Sequence, residues 1–493
     1  MKISIDKSSK VPVYLQIADQ IKAQIISGAL PRSSALPSER ALAQILDVHR
    51  NTVVKAYGEL KSDAWIESRQ GVGYLVASAS TEKESVGESG EGVQMGRVNW
   101  VNEVADKYLD MEKTFDDLFQ RFTDESHFSL GSGIASREVY TSERVAHDIA
   151  GLLTGSGPSQ YFFSPYKGDR FLRQKLASFL GTKGVKASSG EIQILSETNQ
   201  ALDFIVTLLV KPGDSVVMEE PVHPDMYRVM ELAGARILTV PVDEDGMNCD
   251  VLESLLAQTR PRLIFVNSSF HDPTGCILSL ERRKKLVELS SRYRIPIVEE
   301  DAASELVYDG DKLPPIKAFD TTGNVIYIYS FSLTFIPGLS LAFVTGNRDF
   351  VRALSYLVSV RLMASDWMTQ KLLGMYLDDG SYYSSLATFR EIYSGNRDLV
   401  CQKLDALAHL GVRYERPRGG VYVWCRLPDG VDSKHFINRA YNMGVTLIPG
   451  HVFYPYKNGG RDYIRINYSY ESRERLACGM DVLHKALEEE LEE

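Results

Sequence analysis

The sequence has few cysteines and no long apolar run. Its 493 residues include five cysteines, which are scattered and form no Cys-x-x-Cys pair. This spacing favours neither a disulfide framework nor a zinc site, so we expect no bound metal. No apolar run approaches the roughly 18 residues of a membrane span, and the first residues, MKISIDKSSK, lack the apolar core of a signal peptide. We therefore expect a cytoplasmic protein with no membrane partner.

Basic residues are fewer than acidic ones, but their distribution is uneven. The net charge is −10, yet residues 1–80 contain 10 Lys and Arg against 7 Asp and Glu, which gives this segment +3 and leaves −13 for the rest. A small basic module on an acidic body predicts that only the front of the chain touches nucleic acid. The overall content of 44% hydrophobic and 24% charged residues is typical of a globular protein, and the length allows several domains.

A segment with little to bury separates two parts of the chain. Residues 77–93, ASASTEKESVGESGEGV, are rich in Ser, Glu and Gly. This composition predicts a flexible linker. We therefore expect an N-terminal domain at residues 1–78, a linker at 79–112 and a large domain at 113–493.

The N-terminal segment has the pattern of a winged helix-turn-helix. Apolar residues at helical spacing predict a helix over 13–28, VYLQIADQIKAQIISG. Two shorter helices, SERALAQIL at 38–46 and RNTVVKAYGELKSDA at 50–64, are joined by a tight turn. The stretch WIESRQGVGYLV at 65–76 predicts two strands around a glycine turn, which would form the wing.

The second of the short helices leaves polar residues facing outward at its start. Val53, Tyr57 and Leu60 would form its inward stripe, and the outward positions include Arg50 and Lys55. A recognition helix meets base edges and phosphates with such residues. From this pattern alone, a three-helix structural domain remains the alternative.

The whole stretch LPSERALAQILDVHRNTVVKAYGELKSDAWIESRQGVGYLV resembles the GntR-type winged-helix domain, and the resemblance covers residues 11–76. It implies double-stranded operator DNA as the partner. The DNA contacts that it implies are Ser38, Arg40, Arg50, Asn51, Thr52, Lys55, Gln70 and Gly71. Two residues depart from the family pattern. His49 replaces a capping Ser or Thr, which we expect to weaken the cap by about 1 kcal/mol, and Ala64 replaces a glycine.

Beyond about residue 113, predicted helices alternate with buried strands. The clearest strands are SVVMEE at 215–220, RILTVPV at 236–242, RLIFVN at 262–267 and IPIVEE at 295–300. This alternation predicts an α/β fold with a mainly parallel sheet flanked by helices, in which ligands bind at the strand ends. The phrases expected at those ends are EEPVHPDMY, FHDPTG, VEEDAASELVYDG, YSFSLTFIPGLSLAF and IRINYSY.

In that order and spacing, these phrases resemble the fold-type I aminotransferases. Together with the front module they resemble the MocR-type regulators of the GntR family, over nearly the whole chain. The resemblance implies a winged helix-turn-helix fused to an aminotransferase-like domain with a smaller C-terminal α+β subdomain. It also implies a homodimer with a head-to-tail arrangement and pyridoxal phosphate as the family cofactor. Members regulate transcription and need not turn over substrate.

Three positions depart from the family's cofactor site. The lysine that forms the Schiff base falls on Leu333, which offers no amine for a covalent bond. The arginine that binds the phosphate falls on Ser340. A phosphate-loop glycine falls on Glu197, whose carboxylate and side chain we expect to oppose a phosphate. We therefore predict that no cofactor is covalently bound and that aminotransferase activity is absent.

The resemblance also implies a ligand pocket. Its residues are His223, Asn267, Asp272, Glu300, Ser330, Leu333 and Arg465. The acid that pairs with the cofactor ring falls on Glu300 or, with a one-residue shift, on Asp301, and Asp272 stands where an amide is common. Arg465 matches the arginine that grips a substrate carboxylate, which predicts a small carboxylate or amino acid as effector. An ordinary ion pair between Arg465 and a nearby acid remains the alternative.

We therefore predict a transcription regulator whose aminotransferase-like domain is a non-catalytic module for dimerisation and ligand sensing. Three alternatives remain. The chain could be a regulator that binds pyridoxal phosphate non-covalently, an aminotransferase with a fused DNA-binding domain, or a ligandless scaffold that dimerises the DNA-binding domains.

Overall fold

The computed structural model describes residues 3, 5, 12–26, 29–31, 34–46, 48–62, 65–69, 73–76, 126–136, 138–140, 142–155, 165–336, 338–362, 366–456 and 458–492. By its internal contacts the chain divides into two units, residues 1–98 and 99–493. The predicted linker at 79–112 and three residues named from the sequence, Ala64, Gln70 and Gly71, lie outside the described residues.

In its described part, the N-terminal unit has three helices followed by a hairpin. They are α1 (Val13–Ile26), α2 (Glu39–Leu46), α3 (Arg50–Ser62), β1 (Ile66–Arg69) and β2 (Gly73–Val76). The two strands are antiparallel, with Ile66 opposite Val76. The predicted winged helix-turn-helix is confirmed.

The inward stripe of α3 forms the core of this unit. Val53, Tyr57 and Leu60 are fully buried in one apolar cluster that also contains Ile17 of α1. The Tyr57 hydroxyl donates to the carbonyl oxygen of Pro37 at 2.8 Å, which satisfies the one polar atom that this stripe buries. The opposite face of α3 is left to solvent.

The larger unit alternates strands and helices. Its described strands are β3 (Phe128–Ser129), β4 (Ile192–Leu195), β5 (Ser215–Glu220), β6 (Arg236–Asp243), β7 (Gly246–Met247), β8 (Ile264–Asn267), β9 (Ile297–Asp301), β10 (Val325–Ser330), β11 (Ala342–Thr345), β12 (Arg413–Tyr414), β13 (Tyr422–Arg426), β14 (Val445–Thr446), β15 (Ile448–Pro449) and β16 (Tyr463–Asn467). Its described helices are α4 (Ser142–Gly155), α5 (Arg170–Thr182), α6 (Thr198–Leu209), α7 (Pro224–Leu232), α8 (Cys249–Gln258), α9 (Leu280–Tyr293), α10 (Arg348–Arg361), α11 (Trp367–Asp379), α12 (Ser381–Asp405), α13 (Ser433–Asn442) and α14 (Arg473–Glu492). The four predicted strands correspond to β5, β6, β8 and β9. None of the described helices combines the length and the apolarity needed to cross a membrane.

A sheet of eight strands forms the centre of this unit, in the order β4-β11-β10-β9-β8-β5-β6-β7. The neighbours from β10 to β6 pair in parallel, and β10–β11, β11–β4 and β6–β7 pair antiparallel. Val216 and Met218 of β5 belong to one apolar cluster, whereas Val217 belongs to another. Successive side chains of a strand point to opposite faces, so the sheet is covered on both faces, as a parallel sheet requires.

A smaller antiparallel sheet, in the order β12-β13-β16-β15, is built from the C-terminal part of the chain. Helices α13 and α14 contribute buried apolar residues to the same region. Arg465 of β16 lies between Trp424 of β13 and Ile448 of β15. The predicted C-terminal α+β subdomain is therefore confirmed, and it holds the predicted carboxylate-binding arginine.

The carboxyl ends of the parallel strands meet at one edge of the large sheet. Asn267 ends β8, Asp301 ends β9 and Ser330 ends β10. The loops that follow β5, β8 and β10 carry the predicted residues His223, Asp272 and Leu333. A ligand site is expected at this edge of such a sheet.

Candidate functional site

The start of α3 presents the predicted DNA contacts to solvent. Arg40, Arg50, Asn51 and Lys55 are exposed, and Thr52 is half-buried. Exposed cations and an amide at the N-terminal end of a recognition helix can reach phosphates and base edges. The described members of the predicted contact set therefore occupy an open surface.

Two of the neighbouring residues cap helices. Ser38 is exposed, and its Oγ accepts a hydrogen bond from the backbone N–H of Ala41 at 3.2 Å, at the start of α2. At the start of α3, His49 Nδ1 accepts from the backbone N–H of Asn51 at 3.2 Å. An imidazole nitrogen therefore takes the place of the hydroxyl acceptor, and the weaker cap stays a prediction.

A carboxylate holds Arg50 at the start of α3. Arg50 Nη2 donates to Glu39 Oε2 at 2.8 Å, and the Tyr74 hydroxyl donates to Glu39 Oε1 at 3.0 Å. The hydrogen bond from Arg50 lowers the pKa of Glu39. Sequence analysis does not single out Glu39. The sequence feature that points to Glu39 is the acid in LPSER. This residue begins α2, and the turn between the two helices places the start of α3 next to it.

In the larger unit, a cavity of about 170 Å³ lies at the carboxyl ends of β8 and β9. Its lining residues are Gly133, Thr198, Val222, His223, Met226, Phe265, Asn267, Ser269, Phe270, Asp272, Glu300, Ala302, Ala303, Ser332, Leu333, Val421 and Tyr422. Five of the seven predicted pocket residues are among them. The other two lie behind the lining: Ser330 is buried and its Oγ accepts from the Ser332 N–H at 3.2 Å, and Arg465 contacts Asp272.

Arg465 is buried and paired with Asp272, while its Nε has no hydrogen-bond partner among the described residues. It is 2% exposed, and its Nη1 donates to both carboxylate oxygens of Asp272, at 2.8 and 2.7 Å. Its Nη2 donates to the carbonyl oxygen of Gly131 at 2.8 Å. The guanidinium carbon also lies 4.2 Å from the ring centroid of Tyr422, within the range of a cation–π contact. A ligand carboxylate would therefore have to compete with Asp272 for Arg465 in this arrangement. The structure has the ion pair that the sequence left open as the alternative.

Glu300 has a carboxyl oxygen that no described residue binds. The side chain is 7% exposed and lines the cavity. Asn267 Nδ2 donates to Glu300 Oε2, whereas Oε1 accepts no hydrogen bond from the part of the chain that the structure describes. Asn267 Oδ1 is also buried without a partner among those residues. Burial, followed by the charges of Asp301 and Asp272, raises the pKa of Glu300 to about 8.

The alternation of β9 separates Glu300 from Asp301. Asp301 accepts from the Tyr327 hydroxyl at 2.5 Å and from the Ser304 N–H at 2.9 Å, and it lies 3.7 Å from Lys183 Nζ. Asp301 does not line the cavity. Of the two acids that the sequence left open, the cavity therefore takes Glu300.

Among the described residues that line the cavity, none is a lysine or an arginine. Leu333 is 6% exposed and faces this cavity from the loop after β10. Of the nearest lysines in sequence, Lys317 lies 2.9 Å from Asp320, and Lys371 lies 2.7 Å from Asp169. Both amines are held by carboxylates, and neither lines the cavity.

The two positions expected at a phosphate do not line the cavity either. Glu197 is exposed before α6, with an extended backbone (φ −153°) that any residue adopts. Its side chain does not line the cavity, whereas Thr198 does, and the opposition of Glu197 to a phosphate stays a prediction. Ser340 is half-buried. Its hydroxyl supplies no positive charge.

Two protein families match separate parts of the chain. The family of bacterial regulatory proteins named gntR matches residues 13–76, and aminotransferase class I and II matches residues 125–481. The crystal structure of a kynurenine aminotransferase from Pyrococcus horikoshii superposes with a TM-score of 0.75 at 27% identity, over 80% of this chain and 98% of that one. The second family explains the sheet order and the position of the cavity.

Full-length relatives share both parts. The HTH-type transcriptional regulator YdfD of Bacillus subtilis is 28% identical over 481 residues, which cover 96% of each chain. The probable rhizopine catabolism regulatory protein MocR of Rhizobium meliloti is 28% identical over 458 residues, which cover 90% of this chain and 88% of that one. The chain thus belongs to the aminotransferase class I and II family and, with its gntR-family front domain, to the MocR-type transcription regulators.

Proposed function

We propose that this regulator binds operator DNA through α3 and that its aminotransferase-like domain senses a small molecule without catalysing transamination. One observation carries the proposal: Leu333 faces the cavity at the position that the family resemblance gives to the Schiff-base lysine. Leucine cannot form the covalent bond that transamination needs. The regulator would act in the cytoplasm, where bacterial DNA lies.

The described lining residues do not fit pyridoxal phosphate. The cofactor carries an aldehyde, which needs an amine, and a phosphate, which needs cations or backbone N–H groups. The acidic side chains that the cavity offers are Asp272 and Glu300, and the buried guanidinium behind it, Arg465, already binds Asp272. A phosphate would meet two carboxyl groups and no free cation among the described residues. We therefore assign no role to the cofactor in this protein.

The DNA-binding part of the proposal rests on the exposed start of α3. We propose a homodimer, because a pair of helix-turn-helix units binds two half-sites about one helical turn, or a multiple of it, apart. A ligand in the cavity changes DNA affinity only if it binds two arrangements of the protein with different affinity. If no ligand does so, the large domain is a scaffold for dimerisation, which is the competing function.

Calorimetric titration of the full-length protein with pyridoxal phosphate tests the non-catalytic role. We expect no stoichiometric heat, no absorbance band of an imine and no transamination of amino acids. Stoichiometric heat without an imine band would favour the regulator that binds the cofactor non-covalently. Transamination by the purified protein would restore the enzyme as the function.

Selection of bound duplexes from a random DNA pool tests the regulatory role. The homodimer predicts a two-fold symmetric sequence with its half-sites in register with the helical repeat. Arg50→Ala protein serves as the matched control and should recover the same motif less efficiently, because Arg50 supplies a phosphate contact. Equally efficient recovery with this variant would show that Arg50 does not contact the DNA.

A further inference from the structure

We propose that the cavity binds a small protonated amine that carries no carboxylate, with Glu300 as the group that receives the ammonium. The inference deepens the proposed sensing function and rests on it. It replaces the small carboxylate that Arg465 suggested in the sequence. The class of ligand follows from which charges around the cavity are already paired and which are not.

An anionic ligand finds no free cation among the described residues around the cavity. Arg465 lies behind the lining, where Asp272 occupies its Nη1 and Gly131 occupies its Nη2, and only its Nε is without a partner among the described residues. A carboxylate ligand would have to displace Asp272 from a buried ion pair. It would then lie beside the displaced carboxylate of Asp272, which repels it.

Glu300 differs from Asp272 and Asp301 because it has no cationic partner in the described part of the chain. Asp272 is paired with Arg465, and Asp301 lies 3.7 Å from Lys183. Glu300 forms no ion pair with a described residue, and its Oε1 accepts no hydrogen bond from one. A carboxyl group that is 7% exposed and half-satisfied requires a donor. An ammonium supplies both the donor and the charge.

Asn267 provides a second acceptor beside Glu300. Its Nδ2 donates to Glu300, while its Oδ1 is buried and has no hydrogen-bond partner among the described residues. An ammonium is a donor and an anion is not, so the unsatisfied oxygen of Asn267 beside Glu300 is a second polar atom that disfavours an anion here.

The walls of the cavity limit the rest of the ligand. Phe265, Phe270, Met226 and Leu333 line it, and they suit an aliphatic body. Its volume is about 170 Å³, whereas drug-sized ligands use roughly 300–1,000 Å³ and an apolar cavity of roughly 150 Å³ accepts benzene. A chain of a few carbon atoms therefore fits.

The electrostatic surroundings of Glu300 are mostly acidic. The titratable groups that act on it or on its neighbour Asp272 are Glu299 and Asp301 on the same strand, Glu219 on β5, Asp272 after β8, Tyr422 on β13, and Arg465, His223 and His271 near Asp272. Burial, followed by the charges of Asp301, Asp272 and Glu299, raises the pKa of Glu300 to about 8, so an ammonium that binds at neutral pH displaces a proton from the carboxyl group. Affinity for an amine should then rise about tenfold per pH unit up to about pH 8 and level off above it. A ligand held by Arg465 would not follow this profile.

Four ligands of the same chain length separate the possible classes. The full-length protein is titrated calorimetrically with propylamine, propanol, propionate and 3-aminopropanoate, which present a cation, a neutral hydroxyl, an anion and both charges. We expect saturable heat from propylamine and at least tenfold weaker binding of the other three. Buffers of different ionisation enthalpy should also reveal the proton that propylamine releases below about pH 8.

Two carboxyl-to-amide variants supply the controls. Glu300→Gln should weaken propylamine binding at least tenfold and abolish the proton release. Glu244→Gln changes an exposed residue in the turn between β6 and β7 and should bind propylamine as the native protein does. The comparison of the four ligands on native protein stands even if Glu300→Gln fails to fold.

Each other outcome overturns the proposal. Tighter binding of propionate or 3-aminopropanoate would mean that Arg465 releases Asp272 and binds the carboxylate of the ligand. Equal binding of propanol would mean that Glu300 acts as a neutral acid, and the absence of heat from all four would remove the amine site. None of these results restores transamination, which the cofactor titration measures separately.

Discussion

The carboxylate of Asp272 binds Arg465 and so keeps this arginine from binding a ligand. Breaking one partner of a buried ion pair costs about 3–5 kcal/mol. An amide in its place still accepts a hydrogen bond from Arg465, which is 2% exposed. We therefore expect Asp272→Asn to lower the free energy of unfolding by about 3 kcal/mol and to create affinity for propionate. Urea unfolding with and without propionate measures both effects.

An exposed ion pair gives the matched control for this substitution. Asp349 and Arg352 lie 3.2 Å apart, and both side chains are 80% exposed. Asp349→Asn should change the free energy of unfolding by less than about 1 kcal/mol. If Asp272→Asn had an equally small effect on the free energy of unfolding and gained no affinity for propionate, Asp272 would not be the group that keeps Arg465 from binding a carboxylate.

Glu300 should make stability depend on pH. Its pKa is about 8 in the folded chain and about 4.3 when unfolded, so between these values the folded state holds one more proton. The stabilisation is complete below about pH 4.3 and is lost as the pH rises to about 8. Native protein should therefore lose up to about 1.4 kcal/mol per pH unit relative to Glu300→Gln in this window. Urea unfolding between about pH 5 and pH 8 measures the difference. Parallel profiles would mean that Glu300 is already ionised in the folded protein.

The sequence could identify the members of the pocket but not their pairing. Short motifs fix Asp272, Leu333 and Arg465 at the ends of particular strands, and the structure brings all three to one cavity or directly behind it. That Asp272 neutralises Arg465 depends on how β16 packs near the loop after β8. The two residues lie 193 positions apart, and no local pattern encodes that distance. The pairing of Arg50 with Glu39 spans only a turn, and the acid in LPSER is a weak indication of it in the sequence.

At the scale of elements, the strands were predictable because central parallel strands are buried on both faces. Every residue of β9 and β10 is buried, and the sequence of β10, VIYIYS, is accordingly an almost continuous apolar run, whereas β9 ends in three buried acids. The face that each side chain meets was not predictable. Glu300 and Asp301 are adjacent acids, and only the pairing of β9 with β8 and β10 decides which one reaches the cavity.

Helix α3 should bind DNA through its N-terminal end. Arg50→Ala should weaken operator binding and reduce the slope of log affinity against log salt by about 1, because one phosphate contact is lost. Glu39→Gln removes the carboxylate that holds Arg50 in the free protein, so its affinity should equal or exceed that of the native protein. Fluorescence anisotropy of a labelled operator over a series of salt concentrations measures both. An unchanged slope in Arg50→Ala would place the phosphate contacts elsewhere.

At the scale of the whole molecule, the two units can act as a sensor only through a coupling free energy. Coupling is reciprocal for binding: if propylamine changes operator affinity by some factor, operator DNA must change propylamine affinity by the same factor. Factors of about 5–150 are common. A ligandless scaffold predicts a factor of one in both directions.

Two titrations therefore decide between sensor and scaffold. Operator affinity is measured by anisotropy with and without saturating propylamine, and propylamine affinity is measured by calorimetry on the free and operator-bound protein. We expect the two factors to agree and to exceed about 5, in native protein and in Glu244→Gln alike. Saturable propylamine binding with a factor of one would support the amine site but would show that its occupancy does not change DNA affinity. In that case the large domain would serve the regulator as a dimerisation scaffold, because binding energy that is equal in both arrangements shifts nothing.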